Sequence, residues 1–437
     1  MRKKYCRGFY KIGYRLWYRG YRLRIFLLPI AFCLLPVFVN GCAGAKTARD
    51  DIKALPWETY LFNKERQGRT EDTIVPPPQL HAYFWIAGSI NLHLLYEPEE
   101  YSSPAVVDNK IYVGSADGYF YAIDLARGRE IWEFSATGAV ESSPTVADGR
   151  VYFGTNNGKL YCLDIADGRE IWQFQAGAEI TSSPVVEAGT VYFSSADDKL
   201  YALKAETGEK LWHYSRGYVK KVVRRVFASP ALSGNNIYCS FTDGYIAAIE
   251  KSSGREIWKK KVVNSAEGWV GEDAGIARFT PTADNGLIYL IDGNRFLVAM
   301  DAEGGEERWR FNVIKASEFA VGKEDIFVTG YDGSVLAIKK GSGETIWRRK
   351  VSQGIPVSAV IADKYLIVAS NYKNETFFST STGSYIDMFT TGKGEKIWSE
   401  NIDSTTSTSV VTAYNHLFLV TDNGYLRIYK SNSSLRE

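Results

Sequence analysis

The chain repeats one sequence unit three times in succession between residues 102 and 212. The copies read SSPAVVDNKIYVGSADGYFYAIDLARGREIW, SSPTVADGRVYFGTNNGKLYCLDIADGREIW and SSPVVEAGTVYFSSADDKLYALKAETGEKLW. Their last residues, Trp132, Trp172 and Trp212, are forty positions apart. Short runs such as IYVGS and YAIDL have the period of a β-strand. A period of about 40 residues built from such runs is typical of a β-propeller blade, because one four-stranded sheet cannot bury both faces without neighbours.

The repeat continues to the end of the chain and can be counted. Eight segments match the first strand and eight match the third, the last ones being TSVVTA and YLRIYK. The fourth element, a Gly followed four residues later by a Trp, occurs only seven times. One strand is therefore missing at the C-terminus, and residues 79–86 before the first repeat can supply it. We predict an all-β protein: an eight-bladed β-propeller of four-stranded antiparallel blades, closed into a ring by an N-terminal strand. Seven blades is the alternative if the last half-repeat is irregular.

The seven Trp residues are expected to pack between neighbouring blades, with each indole N–H bonded to one acceptor. The alternative role is a stacking platform for sugars or bases. The Gly and Trp pairs are Gly128 and Trp132, Gly168 and Trp172, Gly208 and Trp212, Gly254 and Trp258, Gly305 and Trp309, Gly343 and Trp347, and Gly394 and Trp398.

The N-terminus has the composition of a secretion signal. Nine Lys or Arg lie between positions 2 and 24 without an acidic residue, and an apolar run follows at residues 25–39. At about 15 residues this run is shorter than the roughly 20 that a membrane-spanning helix needs. The sequence VNGC before and at Cys42 resembles the bacterial lipobox, which implies lipidation of Cys42, and Ala43 after it implies transport to the outer membrane. The alternative is a plain signal peptide with an incidental cysteine. We therefore predict a lipoprotein signal peptide at 1–41, a lipidated tether at 42–55, a lead-in segment with the ring-closing strand at 56–100, and the propeller at 101–437.

Composition and scattered polar residues argue against several functions. The net charge is +2, so no basic excess indicates nucleic acid binding. His81, His93, His213 and His416 lie in separate regions, which predicts no metal site and no catalytic triad. Cys162 and Cys239 lie in apolar strand contexts and are expected to be buried thiols. We predict a monomer with no catalytic residues and no cofactor.

The repeat resembles that of PQQ-like propellers, SSPAVVDGxVYVGSxDGxLYALDAxTGxxxW, over residues 102–430. WD40 blades end in Trp-Asp, which is missing here. Some PQQ-like propellers are dehydrogenases that hold a quinone and a calcium ion, often beside a disulfide of adjacent cysteines. This chain has no adjacent Cys pair and no recognisable calcium-ligand spacing.

The regular repeat is broken at two long joints between blades. The first, residues 213–228, contains Val222, Val223, Arg224 and Arg225. The second, residues 259–280, contains Trp269, Glu272 and Asp273. Joints between blades emerge on one rim of a propeller, where function is usually found. The alternative is that a basic and an acidic loop on neighbouring blades simply pair with each other.

These breaks, together with a sixth blade that begins without Ser-Pro, resemble the outer-membrane protein assembly factors of the BamB type. The resemblance implies that the joint at Val222–Arg225 docks on a BamA-like partner, where Arg225 matches an Arg of the family and Val222 an aliphatic residue. It also implies unfolded outer-membrane proteins as clients and a lipid-anchored position on the periplasmic face of the outer membrane. A periplasmic ligand- or polysaccharide-binding sensor, or a quinone-dependent dehydrogenase, remains an alternative.

Overall fold

The computed structural model describes residues 16–18, 21–23, 55–86, 102–217, 228–262, 280–375 and 380–432. Two short N-terminal strands, β1 (Leu16–Tyr18) and β2 (Tyr21–Leu23), pair with each other. The next strands are β3 (Arg69–Thr70) and β4 (Gln79–Trp85), which lie before the first repeat. All other strands form eight sheets in chain order, and the described residues contain no helix.

Blades 1 to 6 are four-stranded antiparallel sheets made of consecutive strands. Blade 1 has β5 Ala105–Val107, β6 Lys110–Gly114, β7 Tyr119–Asp124 and β8 Arg129–Ser135. Blade 2 has β9 Thr145–Ala147, β10 Arg150–Gly154, β11 Lys159–Asp164 and β12 Glu170–Gln175. Blade 3 has β13 Val185–Glu187, β14 Thr190–Ser195, β15 Lys199–Lys204 and β16 Lys210–Ser215. Blade 4 has β17 Ala231–Ser233, β18 Asn236–Ser240, β19 Tyr245–Glu250 and β20 Glu256–Lys261. Blade 5 has β21 Thr282–Asp284, β22 Leu287–Ile291, β23 Leu297–Asp301 and β24 Glu307–Phe311. Blade 6 has β25 Ala316–Val321, β26 Asp325–Gly330, β27 Ser334–Lys339 and β28 Thr345–Lys350.

The last two blades recruit strands from the N-terminal segment. Blade 7 has β29 Ile355–Ala362, β30 Tyr365–Glu375, β31 Thr380–Thr390 and β32 Lys396–Ile402, and β3 adds to β29 in parallel. Its sequence insertion lengthens β30 and β31 into a long hairpin rather than a loop. Blade 8 has β33 Val411–Ala413, β34 His416–Thr421 and β35 Tyr425–Lys430, and β4 is its outer strand. The predicted eight blades and the predicted closure by an N-terminal strand are therefore confirmed.

The core lies between neighbouring blades. Phe120 of blade 1 stacks on Phe153 of blade 2 with ring centroids 4.2 Å apart, inside a cluster drawn from both blades. Third strands of blades 1 to 4 carry four buried residues in a row, since both faces of the sheet are covered. Burial of each such aromatic or aliphatic side chain contributes about 1.5–3 kcal/mol. The blades are thus held together by apolar contacts that a single blade could not make.

Each outer strand carries its Trp toward the next blade. Six of the seven indole N–H groups donate to a backbone oxygen of the following blade, at 2.9–3.2 Å, and these belong to Trp132, Trp172, Trp212, Trp258, Trp309 and Trp347. The following blade presents its turn glycine there: a Cβ on Gly168 would lie 2.5 Å from the ring of Trp132. Trp398 instead meets Tyr429 of blade 8 edge-on. The Trp and Gly of the repeat therefore form an inter-blade contact rather than an open stacking surface.

Serine residues just before several first strands form hydrogen bonds on the inside of the ring. Ser103 N donates to Ser143 Oγ, Ser183 N donates to Ser229 Oγ, and Ser409 N donates to Ser103 Oγ, each at 2.9 Å. These bonds join neighbouring blades, and the last one joins blade 8 to blade 1. They satisfy buried backbone donors that no strand reaches.

The two ends of the ring differ in the connections that they carry. Turns between first and second strands and between third and fourth strands share one end, which we call the turn rim, as the bond from Leu125 N to Asn109 O shows. Turns between second and third strands and the joints between blades share the other end, which we call the loop rim, as the bond from Ala136 N to Gly118 O shows.

Candidate functional site

The side chains predicted to bind a partner belong to joints on the loop rim. Val222, Val223, Arg224 and Arg225 lie outside the described residues, as do Trp269, Glu272, Asp273 and the predicted lipid site Cys42. The first joint leaves blade 3 at Gly217 and re-enters blade 4 at Ala228. The structure therefore defines the base from which this joint starts.

That base is a compact charged cluster between blades 3 and 4. Arg216 Nε donates to Asp243 Oδ2 at 2.6 Å, and its guanidinium lies 4.0 Å from the ring centroid of Tyr245. Both partners of the ion pair are mostly buried, with side chains 11% and 12% exposed. A partly buried, stacked guanidinium is held more firmly than a surface one, since fewer water molecules compete for its donors.

Asp198 ties the same base to the neighbouring turn. Its Oδ1 accepts the Thr242 backbone N–H at 3.0 Å across the blade boundary, while Oδ2 is buried without a hydrogen-bond partner in the part of the chain that the structure describes. Burial raises the pKa of Asp198, and the nearby carboxylate of Asp243 raises it further. The first joint thus begins beside two carboxylates, Asp198 and Asp243, which are held in place by hydrogen bonds between blades 3 and 4.

The turn rim is crossed by residues 57–75, which we call the axial segment. Its carbonyl oxygens accept N–H bonds from the first strands of blades 2, 4, 5, 6 and 7 at 2.8–3.0 Å: Glu58 from Val146, Lys64 from Leu232, Glu65 from Ala283, Gln67 from Val321 and Gly68 from Ile361. Trp57 exchanges two backbone bonds with Val106 of blade 1, and Val75 O accepts the Asn432 N–H beside blade 8. The first strand is the innermost of each blade and its inner edge would otherwise be unpaired, so the axial segment covers these edges.

Arg66 holds the axial segment at the centre. Its side chain is 1% exposed, and its guanidinium makes five hydrogen bonds: Nε to Pro230 O, Nη1 to Thr59 Oγ1 and Tyr60 O, and Nη2 to Ser183 O and Pro184 O. No ion pair to Arg66 is found among the described residues. Burial lowers the pKa of Arg66 to about 9. One cation therefore links blades 3 and 4 to the axial segment entirely through neutral acceptors.

Asp72 fastens the far end of the axial segment. It is fully buried, and its carboxylate accepts the Asn415 N–H of blade 8 at 3.1 Å. Burial raises the pKa of Asp72 to about 6. Near neutral pH this carboxylate carries a charge at a position that favours the neutral acid.

The sequence reading assigned residues 56–100 only a closing strand, and it missed the axial segment. Arg66 and Gly68 lie in a short polar stretch with no strand periodicity, so the pattern of this stretch does not predict contacts with the blades. A single Arg in such a stretch is normally expected to be exposed to solvent. Its role depends on carbonyls that come from residues more than 100 positions away.

Other candidate sites are limited. A cleft of about 290 Å³ lies on the turn rim between blades 6 and 7, lined by charged residues of both signs that include Arg69, Glu71, Lys323, Asp363 and Lys364. Over the described ranges, no three His, Cys, Asp or Glu side chains come close enough to bind a metal ion. The same ranges contain no helix of the length and apolarity that a membrane span requires.

Cys162 and Cys239 are both free and buried, and burial raises the pKa of each thiol to about 12.

The fold and its repeat define the class: an eight-bladed β-propeller of PQQ-like repeats, with one rim crossed by its own N-terminal segment. A family model described as outer membrane protein assembly factor BamB matches residues 85–158, 147–309 and 243–434. These matches span most of the chain, so the protein belongs to the BamB family.

Individual relatives are distant. The outer membrane protein assembly factor BamB of Kangiella koreensis is 25% identical over 133 residues, which are 29% of this chain and 34% of that protein. The chain thus matches about a third of the length of that relative. The crystal structure of BamB from Moraxella catarrhalis has a TM-score of 0.65 at 17% identity, covering 81% of this chain and 99% of that one. The quinohemoprotein alcohol dehydrogenase ADHIIG from Pseudomonas putida HK5 also has a TM-score of 0.65, at 12% identity, covering 87% of this chain and 81% of that one. Both structural matches show the shared fold.

Proposed function

We propose that this protein is a non-catalytic scaffold that helps to assemble β-barrel proteins in the outer membrane. The observation that carries the proposal is the BamB family match across residues 85–434. A lipid on Cys42 would hold the propeller at the periplasmic face of that membrane, because an anchor with more than one acyl chain binds the bilayer stably.

The loop rim is the proposed contact with a BamA-like partner. Val222, Val223, Arg224 and Arg225 belong to the joint that begins directly after Arg216, and Arg216 itself is held by Asp243 and Tyr245. An aliphatic pair beside two guanidinium groups suits a protein surface that offers an apolar patch rimmed by carboxylates. Trp269, Glu272 and Asp273 of the next joint provide a second contact of opposite charge.

The dehydrogenase alternative shares the fold but finds little support in this chain. The two cysteines of the described propeller lie in β11 and β18, so they cannot form a disulfide of adjacent residues. On the turn rim, the axial segment binds the inner strands that surround the centre of the ring. A binding function for protein surfaces needs neither a cofactor nor an open channel.

Affinity purification of the full chain from solubilised membranes tests the proposal. We expect a barrel-assembly component to co-purify, and we expect Arg225→Glu to reduce its recovery by about tenfold because the reversed charge would face the partner's carboxylates. The matched control is Arg169→Glu, which makes the same charge change at an exposed residue on the opposite rim. Recovery of no assembly component, or equal loss with both variants, would contradict the scaffold function.

Two further measurements separate the alternatives. Metabolic labelling with palmitate should be lost in Cys42→Ser, and labelling that persists would contradict the anchor. Purified protein mixed with pyrroloquinoline quinone and Ca²⁺ should show no stoichiometric change in its absorption spectrum. Stoichiometric uptake would favour the dehydrogenase.

A further inference from the structure

The closing strand β4 exposes a row of apolar side chains on the outside of blade 8. Leu80, Tyr83 and Trp85 are 46%, 65% and 50% exposed. They pair with Tyr429, Arg427 and Tyr425 of β35, which alternate along that strand, so all three lie on one face of the blade. A β-bulge at His81 makes this possible, since without it Leu80 would point to the opposite face.

The same row is polar in every other blade. The equivalent positions, defined by pairing with the third strand, are Glu130, Glu133 and Ser135 in blade 1; Glu170, Gln173 and Gln175 in blade 2; Lys210, His213 and Ser215 in blade 3; Glu256, Lys259 and Lys261 in blade 4; Glu307 and Arg310 in blade 5; Thr345, Arg348 and Lys350 in blade 6; and Lys396, Ser399 and Asn401 in blade 7. None of these side chains is apolar. The row on blade 8 is therefore a specific departure from the repeat rather than a general property of outer strands.

Charge distinguishes β4 in a second way. Its sequence, QLHAYFW, contains no Lys, Arg, Asp or Glu, whereas each of the seven other outer strands contains at least one. Charged side chains on an outer strand discourage other chains from pairing with its free edge. No strand in the described part of the chain pairs with the outer edge of β4. Blade 8 thus presents a free edge seven residues long without the usual protection.

We propose that this edge of β4 binds an extended, uncharged polypeptide strand with aromatic or aliphatic residues at alternate positions. This inference rests on the proposed function and names the binding mode of its clients, because membrane-spanning strands of β-barrels alternate between apolar and polar residues and carry aromatic residues at their ends. Backbone bonds along the edge would provide affinity for many sequences.

The geometry favours an extended strand over an apolar ligand without strand structure. A strand added beside β4 would place every second side chain next to Leu80, Tyr83 and Trp85, at the spacing of cross-strand pairs. Tyr425 already meets Trp85 edge-on, with ring centroids 4.8 Å apart, and Tyr83 at 5.9 Å, so the row is held on one side and open on the other. A chain with charges at alternate positions would leave them against this aromatic row without partners.

Fluorescence anisotropy with a synthetic peptide tests the proposal. The probe is a labelled, uncharged peptide of about twelve residues with Tyr or Val alternating with Thr or Ser, and the binding partner is the chain from residue 43 to residue 437. We expect binding that Tyr83→Lys and Trp85→Lys each weaken by about tenfold. The matched controls introduce Lys at equivalent positions of blade 2, Gln173→Lys for Tyr83 and Gln175→Lys for Trp85, and should leave binding unchanged.

N-methylation of the peptide separates strand pairing from simple apolar contact. A strand pairs with its neighbour through every second amide, so N-methyl groups on one alternate set should abolish binding and those on the other set should not. Thermal unfolding of each protein variant confirms that the fold is intact. Failure of the wild-type chain to bind the peptide, equal binding by Tyr83→Lys, or equal inhibition by both N-methylated sets would overturn the proposal.

Two other occupants give different results. A dimer or a vesicle complex that Tyr83→Lys abolishes, with peptide binding unchanged, would make the row a contact between copies or with lipid and would overturn the proposal. The partner experiment is independent: Tyr83→Lys should not alter recovery of the assembly component, and Arg225→Glu should not alter peptide binding. Each of the two proposals can therefore fail alone.

Discussion

The outer strands of blades 1 to 7 and the closing strand of blade 8 occupy the same place in the propeller but are built differently. In the first seven, a glycine turn joins the outer strand to its neighbour, and a Trp reaches the next blade. In blade 8 the outer strand comes from the N-terminus, Ala82 stands where the others have Trp, and Phe84 lies against Gly128 of blade 1. Yet all eight pairings contain a β-bulge at the same position. The bulge therefore belongs to the propeller geometry, while the Trp and Gly are one means of filling the gap between blades.

The largest effect on stability is expected at Arg66, which connects the axial segment to blades 3 and 4. Arg66→Ala should lower the free energy of unfolding by about 3–5 kcal/mol, because it removes five hydrogen bonds in the protein interior and the side chain that joins blades 3 and 4. Urea denaturation followed by tryptophan fluorescence measures it. Arg169→Ala at an exposed turn is the control and should change stability by less than about 0.5 kcal/mol. A small effect at Arg66 would mean that the axial segment is not part of the cooperative fold.

Substitutions of turn glycines test the contact between blades where it is made by a Trp and where it is made by Phe84 of the closing strand. Gly208, Gly128 and Gly189 all have positive φ, but a Cβ would lie 2.7 Å from Trp172 at Gly208, 3.0 Å from the tip of Phe84 at Gly128, and in open space at Gly189. Substitution by Ala should therefore destabilise by about 3, 2 and 1 kcal/mol in that order, the last value being the backbone effect alone. Thermal and urea unfolding give the ranking. Equal losses at the three sites would show that contact with the outer strand does not matter.

The attachment of the axial segment to blade 8 should depend on pH. Because burial raises the pKa of Asp72 to about 6 from an ordinary value near 3.8, the folded state favours the neutral acid. The contribution of Asp72 to the free energy of unfolding is fully present below about pH 4 and is lost as the pH rises through about 6. In Asp72→Asn, the loss of unfolding free energy between about pH 4 and pH 7 should be smaller than in the wild type by about 2 kcal/mol. Urea titrations at both values test this, and identical pH dependence would contradict it.

The smallest effect on stability is expected in the apolar row of blade 8. Tyr83→Lys should change the free energy of unfolding by less than about 0.5 kcal/mol, because the side chain is 65% exposed and faces solvent. Calorimetry or urea unfolding measures it beside Gln173→Lys. A loss comparable to that of a core residue would mean that the row supports ring closure instead of binding.

Most of the fold could be predicted because each blade is specified locally. Strand periodicity, the glycine of the turn and the Trp four residues later recur at fixed spacing, and counting them exposed the missing eighth outer strand. The seventh blade shows the limit of this reasoning, since the residues inserted there extend two strands to 11 residues each and do not form a longer loop. Insertion length does not reveal whether the added residues pair with each other.

The candidate site was less predictable. The sequence indicated which joints interrupt the repeat, but Arg216, Asp243 and Asp198 at the base of the first joint belong to three separate segments that only the ring brings together. The row on blade 8 was likewise hidden, because the bulge at His81 decides which face Leu80 occupies.

By itself, the sequence determined the repeat, the number of blades and the origin of the closing strand, since these follow from local periodicity and a count of strands. Only the tertiary structure decided that residues 57–75 cap the inner edges of the blades, that Arg66 lies buried among carbonyls, and that β4 exposes an apolar row. The physical reason is that hydrogen-bond acceptors and exposed faces depend on which distant segments meet, and this appears only when the ring is closed.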